Sequence, residues 1–309
     1  GMHYVGYASL AAAVSNAGGL GIITALTQPT PEDLRQEIRK CKQLTTKPFG
    51  VNLTLLPVGG APDYQAYAQV IIDEGVKIVE TAGRNPEEWI KLFKANGIIV
   101  IHKCVAIRHA LTAQRHGADI LSVDGFECGG HPGEEDVPNF ILLARAAEEL
   151  RIPFIASGGM ANGAQLAAAL ALGAEGINCG TRFMATVEAP IHQNIKQALV
   201  DADERKTTHI FRTLGNTERV YKNKTAEEVR SIEAEFPGEF EKIRHLVLGV
   251  NYKDSFHSSG NTESSVWSCG QSMGLIHDIP TCQDLCAKIV ADAEAILTRR
   301  LPPLVRSRL

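Results

Sequence analysis

The chain has 309 residues, 44% hydrophobic and 21% charged, with a formal net charge of −4. This is the composition of a folded globular protein. It has no basic stripe to suit nucleic acid, no apolar run of the ~18 residues a membrane helix needs, and no leader pattern at its start. The seven cysteines are odd in number and scattered, without a CxxC pair, so we expect a cytoplasmic, reducing setting and no disulfide framework.

Taken in order, residues 1–6 read as a loop and 9–17 as an alanine-rich helix capped by Gly18 and Gly19. A strand is expected over 20–24, a helix over 31–44 with proline and acids in its first turn, and a strand over 49–54. Helices over 63–74, 86–96 and 106–116 then alternate with strands over 77–81, 98–103 and 119–123. A glycine-rich loop follows, before a helix over 138–150, a strand over 153–156, a helix over 162–172 and a strand over 175–179. Short apolar strands alternating with helices imply a parallel sheet covered on both faces. The pattern shows seven strands. An eighth, before the first helix, would complete a TIM (β/α)8 barrel, so the first strand is expected to be truncated in this chain.

No GxGxxG follows any strand, which excludes the dinucleotide-binding fingerprint. Residues 1–185 are expected to form the barrel and 186–309 a helical cap and C-terminal helix packed on it. Helices are expected there over 190–202, 226–248 and 284–301, with an irregular stretch over 251–274.

In such barrels the active site lies at the C-terminal ends of the strands. Here those ends carry Thr24, Asn52, Thr54, Glu80, Lys103, the loop after Asp124, Ser157-Gly158-Gly159 and Gly180-Thr181. The last two follow the final strands, where loop N–H groups commonly hold phosphate. Lys103 ends a strand of Ile and Val and should point into the mouth, where a cation suits an anionic ligand or the N1–C2 side of a reduced flavin. Asn52 and Thr54 share one face of their strand. The loop Asp124-Gly-Phe-Glu-Cys-Gly-Gly-His131-Pro-Gly-Glu-Glu-Asp136 carries one imidazole among glycines, and histidine is the side chain suited to proton transfer near neutral pH.

No metal site is expected. His109 and His116 stand two helical turns apart, too far to share one ion. Glu127, Glu134, Glu135 and Asp136 read as a solvated loop. No nucleophile elbow or P-loop is present.

The motifs Ala11-Ala-Ala-Val-Ser-Asn-Ala-Gly-Gly-Leu-Gly21, Phe49-Gly-Val-Asn-Leu-Thr54, Asp124-Gly-Phe-Glu-Cys-Gly-Gly-His131, Ala156-Ser-Gly-Gly159 and Gly180-Thr-Arg-Phe183 resemble the nitronate monooxygenase family, formerly the 2-nitropropane dioxygenases, over essentially the whole chain. The resemblance implies a TIM barrel with non-covalent FMN. It implies Gly1, Met2 and His3 near the isoalloxazine, Thr54 and Lys103 on the flavin, and Gly129 beside it. Ser157, Gly158, Gly159, Gly180 and Thr181 would hold the ribityl phosphate, and His131 matches the family's catalytic histidine.

The family is mixed: some members oxidise alkyl nitronates with O2, one branch reduces quinones with NADH, and another relative reduces enoyl-acyl carriers. Cys128 before the glycines resembles the quinone-reductase branch as much. The expected function is therefore FMN-dependent oxidation of alkyl nitronates with O2, with His131 as base. The alternatives are an NAD(P)H:quinone reductase on the same FMN site, an enoyl-acyl carrier reductase, or a non-catalytic flavin-binding protein. The expected partners are a nitronate or quinone, O2, NAD(P)H as reductant, and a second copy in a homodimer, with no nucleic acid or membrane.

Overall fold

The structure, a computed structural model, describes residues 1–55 and 62–306. A turn over the first residues leads into α1 (Ala8–Asn16) and β1 (Gly21–Thr24). Then come α2 (Pro31–Leu44), β2 (Phe49–Leu55), α3 (Tyr64–Asp73), β3 (Ile78–Gly83), α4 (Glu87–Ala95), β4 (Ile99–Cys104), α5 (Ile107–Arg115) and β5 (Ile120–Asp124). The barrel part ends with α6 (Asn139–Glu149), β6 (Phe154–Ser157), α7 (Gly163–Ala171), β7 (Ile177–Asn178) and the short α8 (Thr181–Met184). Local chemistry sets the starts: Thr30 and Asp33 form a reciprocal capping box with Pro31 in the first turn of α2, and Asn162 accepts from the Gln165 N–H to open α7.

The seven strands are parallel and follow chain order β1 to β7. Alternation sorts their side chains. Val51, Leu53, Val79, Val100, Leu121, Val123 and Ala156 join the buried apolar layer under the helices. Their neighbours Asn52, Glu80, Lys103, Ser122 and Asn178 turn the other way, into the ring. The sheet curls far enough that Asn178 Nδ2 of β7 reaches Glu80 Oε2 of β3 at 3.3 Å and Ser122 Oγ of β5 at 3.2 Å. This is the TIM-barrel class of architecture.

Among the described residues no strand joins β7 to β1. The first turn lies along β1 instead: Thr24 N–H donates to Gly6 C=O at 2.8 Å and Met2 N–H to Thr24 Oγ1 at 2.9 Å.

Beyond the barrel come α9 (Gln193–Val200), β8 (Thr207–Ile210), β9 (Glu218–Tyr221), α10 (Lys224–Glu235), α11 (Phe240–Ile243), α12 (Gly249–Asp254), α13 (Cys282–Ala295) and α14 (Leu301–Arg306). Two expectations are corrected here. The region is not purely helical, because β8 and β9 form an antiparallel hairpin. Its strands are four residues each and half polar, too short to show a period. The helix expected over 226–248 breaks after Glu235, because Pro237 has no N–H to continue the ladder. The hairpin lies on the barrel mouth, bridged through Arg219 to Gly130. Helix α13 returns to pack against α7 and α1. No helix of the described residues is long and apolar enough to cross a membrane.

Candidate active site

A cavity of about 2030 Å³ opens at the C-terminal ends of the strands and extends between β1 and β7. Gly1, Met2, His3, Thr54, Lys103, Gly129, His131, Ser157, Gly158, Gly159, Gly180 and Thr181 all line it. The structure thus brings these twelve residues together on one surface, with Thr24 and Glu80 beside them. The buried His102 is hydrogen-bonded to Thr81 Oγ1 at 2.9 Å, and burial lowers its pKa to about 4.

The floor is a polar network on the inward strand faces. Thr54 Oγ1 donates to Asn52 Oδ1 at 3.0 Å, and Asn52 Nδ2 donates to Glu80 Oε1 at 2.9 Å. The Gly1 amine lies 2.6 Å from the same Glu80 oxygen. Burial raises the Glu80 pKa, but the Gly1 amine, Lys103 and the Asn52 amide outweigh it and hold the carboxyl at about 2. Burial likewise favours neutral Lys103, yet the charges of Glu80 and Asp124 prevail and keep its ammonium protonated, above the ordinary lysine range. Lys103 has charged neighbours but no ion pair within contact distance among the described residues, so its cation is available to a ligand. Burial, with the nearby Asp124 carboxylate, pushes the pKa of the Cys128 thiol well up. It is a protonated wall residue and not a nucleophile.

The second wall is backbone. Gly158 and Gly159 have φ of +80° and +74°, and a Cβ on Gly158 would lie 2.8 Å from the Gly125 carbonyl. Asn139 Nδ2 fixes this turn by donating to the Ser157 carbonyl at 2.9 Å and to the Gly158 carbonyl. Gly180 is the N-cap of α8, and a Cβ there would meet only the Met2 side chain, at 3.6 Å. The N–H groups of Gly158, Gly159 and Gly180 find no acceptor among the described residues. Thr181 Oγ1 accepts from Gly270 N–H at 2.8 Å and keeps its own proton to donate. Free N–H groups on a side chain-free surface fit an anionic phosphate.

The third wall carries His131. Its loop is stitched to β9: Gly130 N–H donates to Arg219 C=O at 3.0 Å, and Arg219 N–H to Gly130 C=O at 2.7 Å. Gly129 is required by close packing, since a Cβ would lie 2.6 Å from the carbonyl carbon of Cys269. His131 Nδ1 is 3.0 Å from the Thr217 carbonyl. A carbonyl only accepts, so Nδ1 carries the proton and neutral His131 presents Nε2 as an acceptor.

Glu134, Glu135 and Asp136 are exposed, as expected of a solvated loop, but all four acids of the loop also have partners. Glu127 receives the Asn139 N–H, Glu134 grips Thr217, Glu135 pairs with Arg108, and Asp136 pairs with Arg212 at 2.9 Å. Of the residues missed, Asp124 was accessible, because it continues the inward alternation of Ser122. Thr217 and Arg219 carried no signal, since nothing in a short polar strand says which loop it will meet.

The chain matches the family model described as nitronate monooxygenase over residues 1–292. A relative from Rhodococcus jostii RHA1, the (3aS,4S,5R,7aS)-5-hydroxy-7a-methyl-1-oxo-octahydro-1H-indene-4-carboxyl-CoA dehydrogenase, is 33% identical over 95% of this chain and 91% of its own. Among solved structures, FabK from Thermotoga maritima is 35% identical with a TM-score of 0.90, covering 100% of this chain and 94% of that one. The nitroalkane oxidase from Streptomyces ansochromogenes is 26% identical with a TM-score of 0.81, covering 95% and 94%.

Proposed function

The chain belongs to the nitronate monooxygenase family of flavin-dependent oxidoreductases, and is an enzyme; from that premise we propose that it binds FMN and oxidises alkyl nitronates with O2. The observation that carries this reading is the sharing of one cavity by three features: a glycine cradle with unsatisfied N–H groups, an available lysine cation, and a histidine whose bond to Thr217 leaves Nε2 as acceptor.

Gly158, Gly159 and Gly180 would bind the phosphate through their N–H groups, with hydroxyl donors at Ser157 and Thr181. Lys103 would place its positive charge toward the pyrimidine side of the isoalloxazine. Once bound, FMN supplies the redox centre that takes electrons from the nitronate and delivers them to O2. His131 Nε2 accepts the α-proton of a neutral nitroalkane, and the charge left behind spreads onto the nitro oxygens. A preformed nitronate enters without that step, so its turnover does not draw on His131 as a base.

A second reading has one observation in its favour. The 33% and 35% identical relatives are a carboxyl-CoA dehydrogenase and FabK, against 26% for the nitroalkane oxidase. On that reading FMN held at the same site would supply hydride taken from NAD(P)H to a quinone or to the double bond of an enoyl thioester.

Anaerobic mixing of the purified, FMN-loaded enzyme separates the two. Bleaching by an alkyl nitronate, with none by NADH or NADPH, supports nitronate oxidation. Bleaching by a reduced nicotinamide alone, followed by turnover with quinone or enoyl thioester, supports the second. A colourless protein that cannot be reconstituted with FMN sinks both.

A further inference from the structure

We propose that Glu134 is a positioning residue for His131, acting through Thr217; the proposal rests on the reading of His131 as a base. The Glu134 carboxylate takes both donors of one residue: Oε1 accepts the Thr217 N–H at 2.7 Å and Oε2 accepts the Thr217 hydroxyl at 2.6 Å. Thr217 is 1% exposed, so neither donor has water as a substitute. Its remaining polar group, the carbonyl, accepts from His131 Nδ1 at 3.0 Å. All three polar groups of Thr217 are therefore committed to the loop segment from His131 to Glu134. The result is a closed circuit, carboxylate to threonine to imidazole, that does for His131 what an orienting carboxylate does for the imidazole of a catalytic triad.

The circuit is held in register from both sides. The paired main-chain bonds between Gly130 and Arg219 fix the loop on β9 just before His131. The Arg212 to Asp136 ion pair fixes it just after Glu134. With the loop and hairpin registered, the Thr217 carbonyl can face only Nδ1, and the tautomer with Nε2 free is selected. Without Glu134 the Thr217 peptide loses the contact that orients its plane. His131 can then place its proton on Nε2, the tautomer that cannot accept one from substrate.

The test is the tautomer itself, read by long-range proton–nitrogen correlation on FMN-loaded enzyme labelled with nitrogen-15 histidine. The spectrum is taken at alkaline pH, and His131 is assigned by its disappearance in His131→Asn. Wild type should show the Nδ1–H pattern. Glu134→Ala should shift His131 toward Nε2–H, keep its FMN, and lower kcat/KM for a neutral nitroalkane by about tenfold, the scale on which partners that orient a functional histidine act. Turnover of the preformed nitronate should hardly change. Glu134→Gln keeps one acceptor oxygen and should restore part of the wild-type pattern.

An unchanged Nδ1–H pattern in Glu134→Ala overturns the proposal. If that variant does not fold, Glu134→Gln and Thr217→Val carry the same comparison, and wild-type spectra in both overturn it. A shifted tautomer with undiminished turnover of neutral substrate upholds the clamp and removes His131 as base, so the two failures are distinguishable.

Discussion

The two walls of the mouth are built on different principles. The Ser157-to-Thr181 wall is made of main-chain N–H groups at the ends of β6 and β7, with small residues that leave them bare. Its geometry follows from where the strands stop. The His131 wall depends on a side chain whose orientation is set from 86 residues away, by the Thr217 carbonyl, and whose loop is stitched to a hairpin beyond the barrel. A backbone cradle tolerates movement elsewhere in the molecule. A positioned imidazole does not, because its useful nitrogen depends on a single hydrogen bond from the other one.

The largest effect is expected at the side-chain wall. His131→Asn should lower kcat/KM for a neutral nitroalkane by about 10²–10⁴-fold, the usual worth of a positioned base. The preformed anion should lose far less, and FMN content should stay near wild type. Equal losses for the two forms would mean that His131 positions substrate and takes no proton.

Next comes the backbone wall. Gly180→Asp places a carboxylate where the phosphate is read to lie. Like charges ~4 Å apart at an effective dielectric of ~20 repel by about 4 kcal/mol, so FMN affinity should fall by roughly 10³-fold. The free protein should fold normally, since a Cβ at Gly180 touches only Met2. An unchanged FMN affinity by fluorescence titration would place the phosphate elsewhere and erase the contrast between the walls.

A smaller effect is expected at the joint between barrel and hairpin. The buried Arg219 guanidinium donates to the Phe126 carbonyl and to Thr207 Oγ1, each at 2.9 Å. Arg219→Met keeps the stem and leaves those acceptors unpaired, at a cost of about 2 kcal/mol in urea unfolding. It should lower proton abstraction more than FMN affinity. The reverse pattern would show that the hairpin supports the cradle instead.

The smallest effect is expected far from both walls. Glu74 is burdened by burial, but Arg39, Arg35 and Lys42 outweigh it and depress its pKa from the ordinary 4.5 to about 2. A depressed carboxylate adds stability above its unfolded-state pKa and loses it as pH falls through the folded one. Acid should therefore weaken the protein between about pH 4.5 and 2. Glu74→Gln should reduce that slope without abolishing it, because Glu80 titrates in the same window. A slope that Glu74→Gln leaves untouched would assign the acid sensitivity to the barrel floor.

The sequence by itself determined the barrel: its short apolar strands, capped helices and glycine-rich strand ends are set by interactions within a few residues. The glycine turns at the mouth and the inward Lys103 were legible for the same reason, since period-two alternation and a strand end decide where they point. The tertiary structure alone decided what surrounds His131. Thr217, Arg219 and the acids from Glu134 to Asp136 belong to short polar segments without hydrophobic periodicity, and the acids read as a solvated loop. Their pairing appears only when the hairpin folds onto the mouth. Which nitrogen of His131 is free is likewise a tertiary property, because it depends on one carbonyl brought there by the fold.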